Sequence, residues 1–208
     1  MPALLSDDKV WFDAGRKFQA IANELKAVGN NGSTVVVLAH FEATLSALSE
    51  SLRANAVQYQ RFSLFDAARL CSPSAPIVWV GLALEFSAPS ALPPRASPSL
   101  GIQIIVAEHH PKQSRDQAII DAAKSLPCPS GMCFYFSLDD PLLNHFSGDS
   151  MQRLFKKMGG DENQCLSHHL ITTALHNAQQ KIESETQRDL QTESIEQWFR
   201  YNVENRKS

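Results

Sequence analysis

Four continuous apolar runs, rich in β-branched and aromatic residues, constrain the fold of this chain more than any other feature. They are TVVVLAH from Thr34, PIVWVGLAL from Pro76, GIQIIVAEH from Gly101 and MCFYFSL from Met132. Such runs are typical of strands buried on both faces of a parallel sheet. The segment that follows the first run has leucines at helical spacing, at Leu45, Leu48 and Leu52. Strands that alternate with helices predict an α/β domain with a parallel sheet.

The remaining segments of the first 138 residues fit the same alternation. Apolar residues recur at helical spacing from Asp8 to Val28 and predict a first helix there. We predict a short strand at 57–62, a short helix around 64–70 and a further helix over 112–126. The proline- and serine-rich stretch at 87–99 is expected to be a loop. The sheet should then have about five strands, with helices that flank it.

Beyond Asp139 the pattern becomes helical. Asp139 and Asp140 precede Pro141, which is typical of the capped start of a helix, here one that runs to Phe146. An amphipathic helix around 151–158 and a long helix from about His168 to Tyr201 should follow. We therefore expect an α/β domain over 1–147 and a helical extension over 148–208 that ends in a long, largely polar helix.

The polar half of this long helix contains one cluster of large apolar residues, formed by Ile195, Trp198 and Phe199. A helix that is polar on every side is usually solvated unless something docks on it. The cluster is therefore our candidate surface for a protein partner or for self-association.

Charge and composition narrow the class of protein. The net charge is -3, and no Lys/Arg run is longer than two residues, so we expect no nucleic-acid partner. The N-terminus has no signal-peptide pattern, and no stretch is apolar enough to span a membrane. The four cysteines form no CxxC pair, which favours reduced thiols in a reducing compartment. The sequence predicts a cytoplasmic protein.

Three segments then suggest an ancestry. They are FYFSLDD at 134–140, FSG at 146–148 and NAQQKIE at 177–183. In this order and spacing they resemble the second nucleotide-binding half of SecA, the ATPase that drives preprotein export, together with the start of its helical scaffold. The similarity can be followed without a gap from Gly101 to about Glu183, and more faintly back to the first helix. The resemblance implies a RecA-like fold of the P-loop NTPase superfamily, similar to a helicase C-terminal half.

The residues that carry the chemistry of that family are replaced in this chain. Where the family has the arginines of its arginine-finger helix, this chain has Ile120, Ala122 and Ser125. The family's glycine- and arginine-rich loop corresponds to GLALEFSAPSALP at 81–93, and no GxxxxGK[ST] string occurs. The resemblance therefore implies a degenerate ATPase without catalytic residues or a bound cofactor. We expect it to act by protein binding, either through its helical tail or to the export machinery.

An alternative hypothesis uses the carboxyl end of the sheet. His109 and His110 end a predicted strand and Arg115 follows, which is where open α/β sheets place ligand residues. The chain would then bind a nucleotide or small ligand, or be an enzyme. The histidines and cysteines do not repeat a zinc-ligand spacing, so we predict no metal site. A decayed gene product that only folds is a third alternative.

Overall fold

The computed structural model describes residues 4–28, 34–63, 70, 78–87, 101–147, 153, 155–157, 159, 161–165 and 169–204. A parallel sheet of seven strands forms its centre. The strands are β1 (Leu4–Leu5), β2 (Lys9–Trp11), β3 (Thr34–Ala39), β4 (Gln60–Arg61), β5 (Val78–Leu82), β6 (Ile102–Val106) and β7 (Ser130–Ser137). Their order is β1-β7-β6-β3-β5-β4, and β2 pairs with β7 beyond the end of β1. The α/β fold with a parallel sheet is thus confirmed.

Seven helices are described around this sheet. They are α1 (Ala14–Val28), α2 (Glu42–Ala54), α3 (Ala83–Ser87), α4 (Gln113–Ser125), α5 (Pro141–Ser147), α6 (His169–Glu185) and α7 (Ile195–Asn202). Within the described residues, no helix combines the length and apolar character that crossing a membrane requires.

Side chains that alternate along the strands build a separate core on each face of the sheet. On one face, Val36 and Ile104 pack with Ile119 of α4, and on the other, Val37 and Ile105 pack with residues of α1 and α2. All six residues of β3 are buried. The continuous apolar runs therefore belong to strands that are covered by helices on both faces, as their composition predicts.

A third core joins the carboxyl edge of the sheet to the C-terminal helices. It contains Phe41 and Phe136 from the α/β part, together with Ile171 and Leu175 of α6 and the apolar residues of α7. This core contains residues from both sides of residue 147. The predicted boundary between the α/β domain and the helical extension at that residue stays a prediction.

Three sequence predictions need correction. Val10 and Trp11 lie in β2, paired with Phe136 and Ser137, so the first helix begins at Ala14 and not at Asp8. The two short strands β1 and β2 raise the strand count from about five to seven. The expected helix from about His168 to Tyr201 is two helices, because residues 186–194 are not helical.

Several other predictions are confirmed, and some concern residues that the structure does not describe. The helix over 112–126 and the short strand within 57–62 are confirmed by α4 and β4. The Oδ1 atom of Asp140 accepts a hydrogen bond from the amide of Leu142 at 2.9 Å, so the predicted cap of α5 is confirmed. Nearly all of the predicted helix around 64–70, most of the proline-rich loop and half of the helix around 151–158 lie outside the described residues.

Candidate functional site

One buried carboxylate organises the polar residues at the carboxyl edge of the sheet. Asp116, in the first turn of α4, accepts hydrogen bonds from His109 Nδ1 at 2.7 Å and from His40 Nε2 at 2.8 Å. It also accepts bonds from the His110 amide at 3.0 Å and from Gln179 Nε2 of α6 at 2.7 Å. These four bonds tie β3, β6, α4 and α6 to one side chain. We call these five residues the Asp116 cluster.

The sheet brings the members of the cluster together. Leu38 of β3 pairs with Val106 of β6, so the residues that follow each strand emerge side by side at the same edge. His40 comes directly after β3, and His109 follows β6. Parallel strands with adjacent carboxyl ends therefore place both imidazoles within reach of the N-terminal turn of α4.

The charges in the cluster compensate one another. Burial alone would lower the pKa of His109, but the carboxylates of Asp116 and Asp8 outweigh it and raise that pKa to about 10. Burial would raise the pKa of Asp116, yet the attraction and hydrogen bonds of His109 and His40 hold it well below its usual value. At neutral pH the cluster therefore contains a buried ion pair between an imidazolium and a carboxylate.

His110 has a different environment from its neighbour. Its ring stacks on Phe41 with centroids 5.4 Å apart and meets the edge of Trp198 at 5.5 Å. Its Nδ1 accepts a hydrogen bond from the amide of Lys112 at 3.0 Å. Burial and the nearby His40 lower the pKa of His110 to about 3, so the ring is neutral at pH 7. A neutral ring packed in this way is a structural element.

Glu108 lies at the carboxyl edge of the sheet beside the Asp116 cluster. Its carboxylate accepts hydrogen bonds from the amides of His40 and Phe41, at 2.9 and 3.0 Å, and from Thr44 Oγ1 at 2.6 Å. These donors lie at the N-terminus of α2, where backbone amides otherwise lack a partner. Burial raises the pKa of Glu108 above its usual value. Glu108 thus anchors the start of α2 to the end of β6.

The structure brings His110 and Arg115 together in the lining of one small pocket, with His40, Asp189 and Trp198, and places His109 in the lining of a different one. The guanidinium of Arg115 points to Asp189, with Nε and Nη2 both 2.6 Å from Oδ2. Asp189 also accepts a hydrogen bond from Trp198 Nε1 at 2.9 Å. Arg115 therefore holds the segment between α6 and α7 in place.

The three residues predicted to form an exposed partner surface are buried inside the chain. Ile195 and Phe199 are each 5% exposed, and Trp198 is fully buried. They pack in the third core because residues 186–194 turn the chain back, so that α7 covers the carboxyl edge of the sheet. The prediction that this cluster is available to a partner is wrong.

The arginine-finger positions lie on the second half of α4. Ile120 and Ala122 are partly buried and pack against the core on that face of the sheet. Ser125 is exposed, and its hydroxyl donates to the carbonyl of Ala122 at 2.7 Å. The chain thus presents neutral side chains at all three positions.

Sequence reasoning missed Asp8, His40 and Gln179 as members of this region. His40 was foreseeable, since it ends the strand next to the one that ends before His109. Asp8 directly precedes β2 and Gln179 lies in α6, and both approach the edge only through tertiary packing. Among the described residues, no group of three or more His, Cys, Asp and Glu side chains is arranged to hold a metal ion.

The chain is similar in sequence to SecA proteins. No family model matches the chain. SecA of Chlorobaculum tepidum is 25% identical over 185 residues, which are 86% of this chain and 18% of that protein. SecA of Acidithiobacillus ferrooxidans is 34% identical over 84 residues, which are 40% of this chain and 9% of that protein. The chain therefore spans less than a fifth of the length of these relatives.

A solved structure, the C-terminal part of the Fun30 ATPase domain, superposes with a TM-score of 0.44 at 11% identity. It covers 79% of this chain and 54% of that one, a likeness too weak to bear on function. Similarity to SecA along most of the chain, with a parallel sheet flanked by helices, confirms the prediction of a SecA-like chain with a RecA-type α/β fold.

Proposed function

We propose that this chain is a non-catalytic relative of the SecA motor domain that acts by binding another protein. The observation that carries the proposal is the set of side chains at the arginine-finger positions, Ile120, Ala122 and Ser125. Arginine stabilises the charge that develops on a transferred phosphoryl group because its guanidinium is always charged and binds oxygens in pairs. Loss of one such arginine costs about a thousandfold or more in rate.

The carboxyl edge of the sheet supports the same proposal. Open α/β sheets bind their ligands in the crevice outside the carboxyl ends of the strands. Here Trp198 lies over His110 at that edge, and Glu108 and Asp116 use their carboxylates on partners within the chain. The pocket that remains at this edge, lined in part by His110, Arg115 and Trp198, has a volume of about 40 Å³, which is small for a nucleotide.

Protein binding is proposed from the relatives and from the C-terminal segment. The relatives are named protein translocase subunits, and we propose that this chain also contacts the export machinery or its client proteins. The C-terminal segment exposes two large apolar side chains, Leu190 at 53% and Tyr201 at 48%. We therefore propose Leu190 and Tyr201, instead of the buried apolar residues of α7, as the contact for a partner or for self-association.

The test is affinity capture of the full chain from its native cells after brief cross-linking. We expect export components or preproteins with the wild-type chain, and at least a threefold loss with the double substitution Leu190→Ser and Tyr201→Ser. These changes leave in place the two hydrogen bonds between the backbone of residue 190 and the side-chain amide of Asn202. The matched control is Leu84→Ser, which changes an exposed leucine on α3. Equal capture by all three chains, or no export protein at all, would contradict the proposal.

Self-association is measured separately by analytical ultracentrifugation. If the C-terminal segment mediates it, the wild-type chain should sediment as a dimer and the double variant as a monomer. The same mass for both would exclude this surface.

A further inference from the structure

A second site lies beside the Asp116 cluster, between β1, α4 and α6. It is a cavity of about 440 Å³. Its polar walls include Asp8, His109, Asp116, His176 and Gln179. The ring of Phe134, which stacks on His109 with centroids 4.4 Å apart, gives it an apolar floor.

Three buried polar atoms in this wall have no hydrogen-bond partner among the residues that the structure describes. They are Asp8 Oδ2, His109 Nε2 and Gln179 Oε1. The side chains are buried, with residue exposures of 7%, 3% and 0%. His109 Nε2 lies 3.5 Å from Asp8 Oδ2, which suits ion pairing but lacks the geometry of a hydrogen bond. The protonated His109 Nε2 already has this carboxylate as its ion-pair partner, so the acceptors left for an occupant are Asp8 Oδ2 and Gln179 Oε1. Buried polar groups rarely stay unpaired in folded proteins, so these two acceptors indicate an occupant that donates hydrogen bonds.

The orientation of the Gln179 amide is fixed by its neighbours. Its nitrogen donates to the carbonyl of His110 and to Asp116 Oδ2, each at 2.7 Å. Both partners only accept hydrogen bonds, so the amide cannot be turned round. The free atom of Gln179 is therefore an acceptor that has no hydrogen-bond donor among the described residues.

The charges of the wall indicate the sign of the occupant. Asp7, Asp8 and Asp116 contribute carboxylates, and none of the described residues that line the cavity is a lysine or arginine. Burial opposes the charged form of His109, but the carboxylates of Asp116 and Asp8 outweigh it, raise its pKa to about 10 and leave the ring protonated at neutral pH. One imidazolium does not balance three carboxylates, so the cavity repels anions such as phosphate and attracts cations.

We propose that this cavity binds a small organic cation that carries N–H donors, a primary ammonium or a guanidinium group. The cation donates to Asp8 Oδ2 and to Gln179 Oε1, while its alkyl part lies against Phe134. The proposal goes beyond the proposed function and does not depend on it, because the residues used here differ from those of the C-terminal contact. The sequence predicted a ligand site at His109, and the proposal assigns a class of ligand to it. Nucleotides do not belong to that class, because their phosphates are anions.

The test is isothermal titration calorimetry of the full chain at pH 7 with four probes of similar size. The probes are n-butylammonium, n-butylguanidinium, n-butanol and butyrate. We expect binding of the two cations only. Asp8→Asn should weaken that binding about tenfold or more, the usual loss when a buried charge-assisted hydrogen bond is removed.

Two further variants separate a lost site from a lost fold. Gln117 lines the cavity from an exposed position on α4, so Gln117→Lys adds a positive charge without disturbing the core. It should weaken binding of the cations at least threefold at an unchanged melting temperature. Glu50→Gln removes one negative charge from the exposed side of α2, on the other face of the sheet, and should leave binding unchanged.

Several results would overturn the proposal. They are no binding of either cation at 10 mM, equal binding of butanol or butyrate, and cation binding that Asp8→Asn and Gln117→Lys leave unchanged. The first of these would mean that water alone satisfies the three polar atoms.

Discussion

The two halves of α4 differ in how far their side-chain hydrogen bonds and ion pairs reach. In the first half, Ser114 binds Glu183, Arg115 binds Asp189 and Asp116 holds four partners from three other elements. In the second half, the described side-chain bonds of Asp121, Lys124 and Ser125 stay within α4, and Ser130 of β7 donates to the backbone carbonyl of Ala123. The first half of α4 therefore ties several elements together, whereas the second half, which carries the positions proposed to have lost their arginines, does not.

The largest effect should come from Asp116→Asn in the first half. The substitution removes the buried negative charge that pairs with His109 and leaves that imidazolium with Asp8 alone. We expect a loss of about 3–5 kcal/mol in the free energy of unfolding, as for other broken buried ion pairs. Urea unfolding measures it.

Asp121→Asn is the matched change in the second half of the helix. Its side chain is 61% exposed and pairs only with neighbours on α4, so the expected change is below about 0.5 kcal/mol. Equal losses for the two variants would remove the contrast between the two halves.

The pH dependence of stability should reveal the same ion pair. The unfolded chain releases the His109 proton near pH 6.5, while the folded chain holds it up to about pH 10. The stability that this proton supplies is complete below pH 6.5 and is lost as the pH rises toward 10. Between pH 6.5 and 8.5 the free energy of unfolding should fall by about 1.4 kcal/mol per pH unit.

Urea unfolding at pH 6.5, 7.5 and 8.5 checks this slope, with His109→Gln as the comparison. The variant should be less stable at pH 6.5 and should lose most of the slope. A slope that persists in the variant would mean that another group titrates in this window.

A smaller difference in the free energy of unfolding is expected between alanine variants of two basic residues of α4, Arg115 and Lys124. Arg115→Ala should cost about 0.5–1 kcal/mol, because Arg115 is 40% exposed and its partner Asp189 is more buried. Lys124→Ala should cost almost nothing, since Lys124 and Asp121 are both at least half exposed. Thermal unfolding of the two variants makes the comparison. A larger loss for Lys124→Ala would show that the second half also holds the fold.

Much of the α/β core could be predicted from the sequence, because β3, β6 and β7 are long apolar runs that carry their own signal. β2 could not be predicted, since Val10 and Trp11 fit a helical pattern and become a strand only by pairing with β7, more than a hundred residues away. Pairing at that distance leaves no local trace.

The sequence does contain a signal for the start of α7 after the break, which the sequence analysis did not use. Ser194 and Gln197 form a capping pair, in which the Ser194 hydroxyl accepts from the amide of Gln197 at 3.3 Å. No glycine or proline marks the break, and its turn is held by tertiary contacts such as Arg115 with Asp189. The same break explains why the cluster at Ile195, Trp198 and Phe199 is buried. Of the ligand-site residues, His109 was predictable from its strand, whereas Asp8 and Gln179 depend on packing.

The most direct test of the central claim, a kept fold without the ATPase chemistry, is phosphate release at saturating MgATP. The purified chain is measured alone and mixed with the first nucleotide-binding half of SecA, at concentrations where sedimentation would detect a complex. The triple variant Ile120→Arg, Ala122→Arg and Ser125→Arg serves as the comparison. We predict that the wild-type chain adds no hydrolysis in either case. Phosphate release that rises with the amount of wild-type chain would contradict the account.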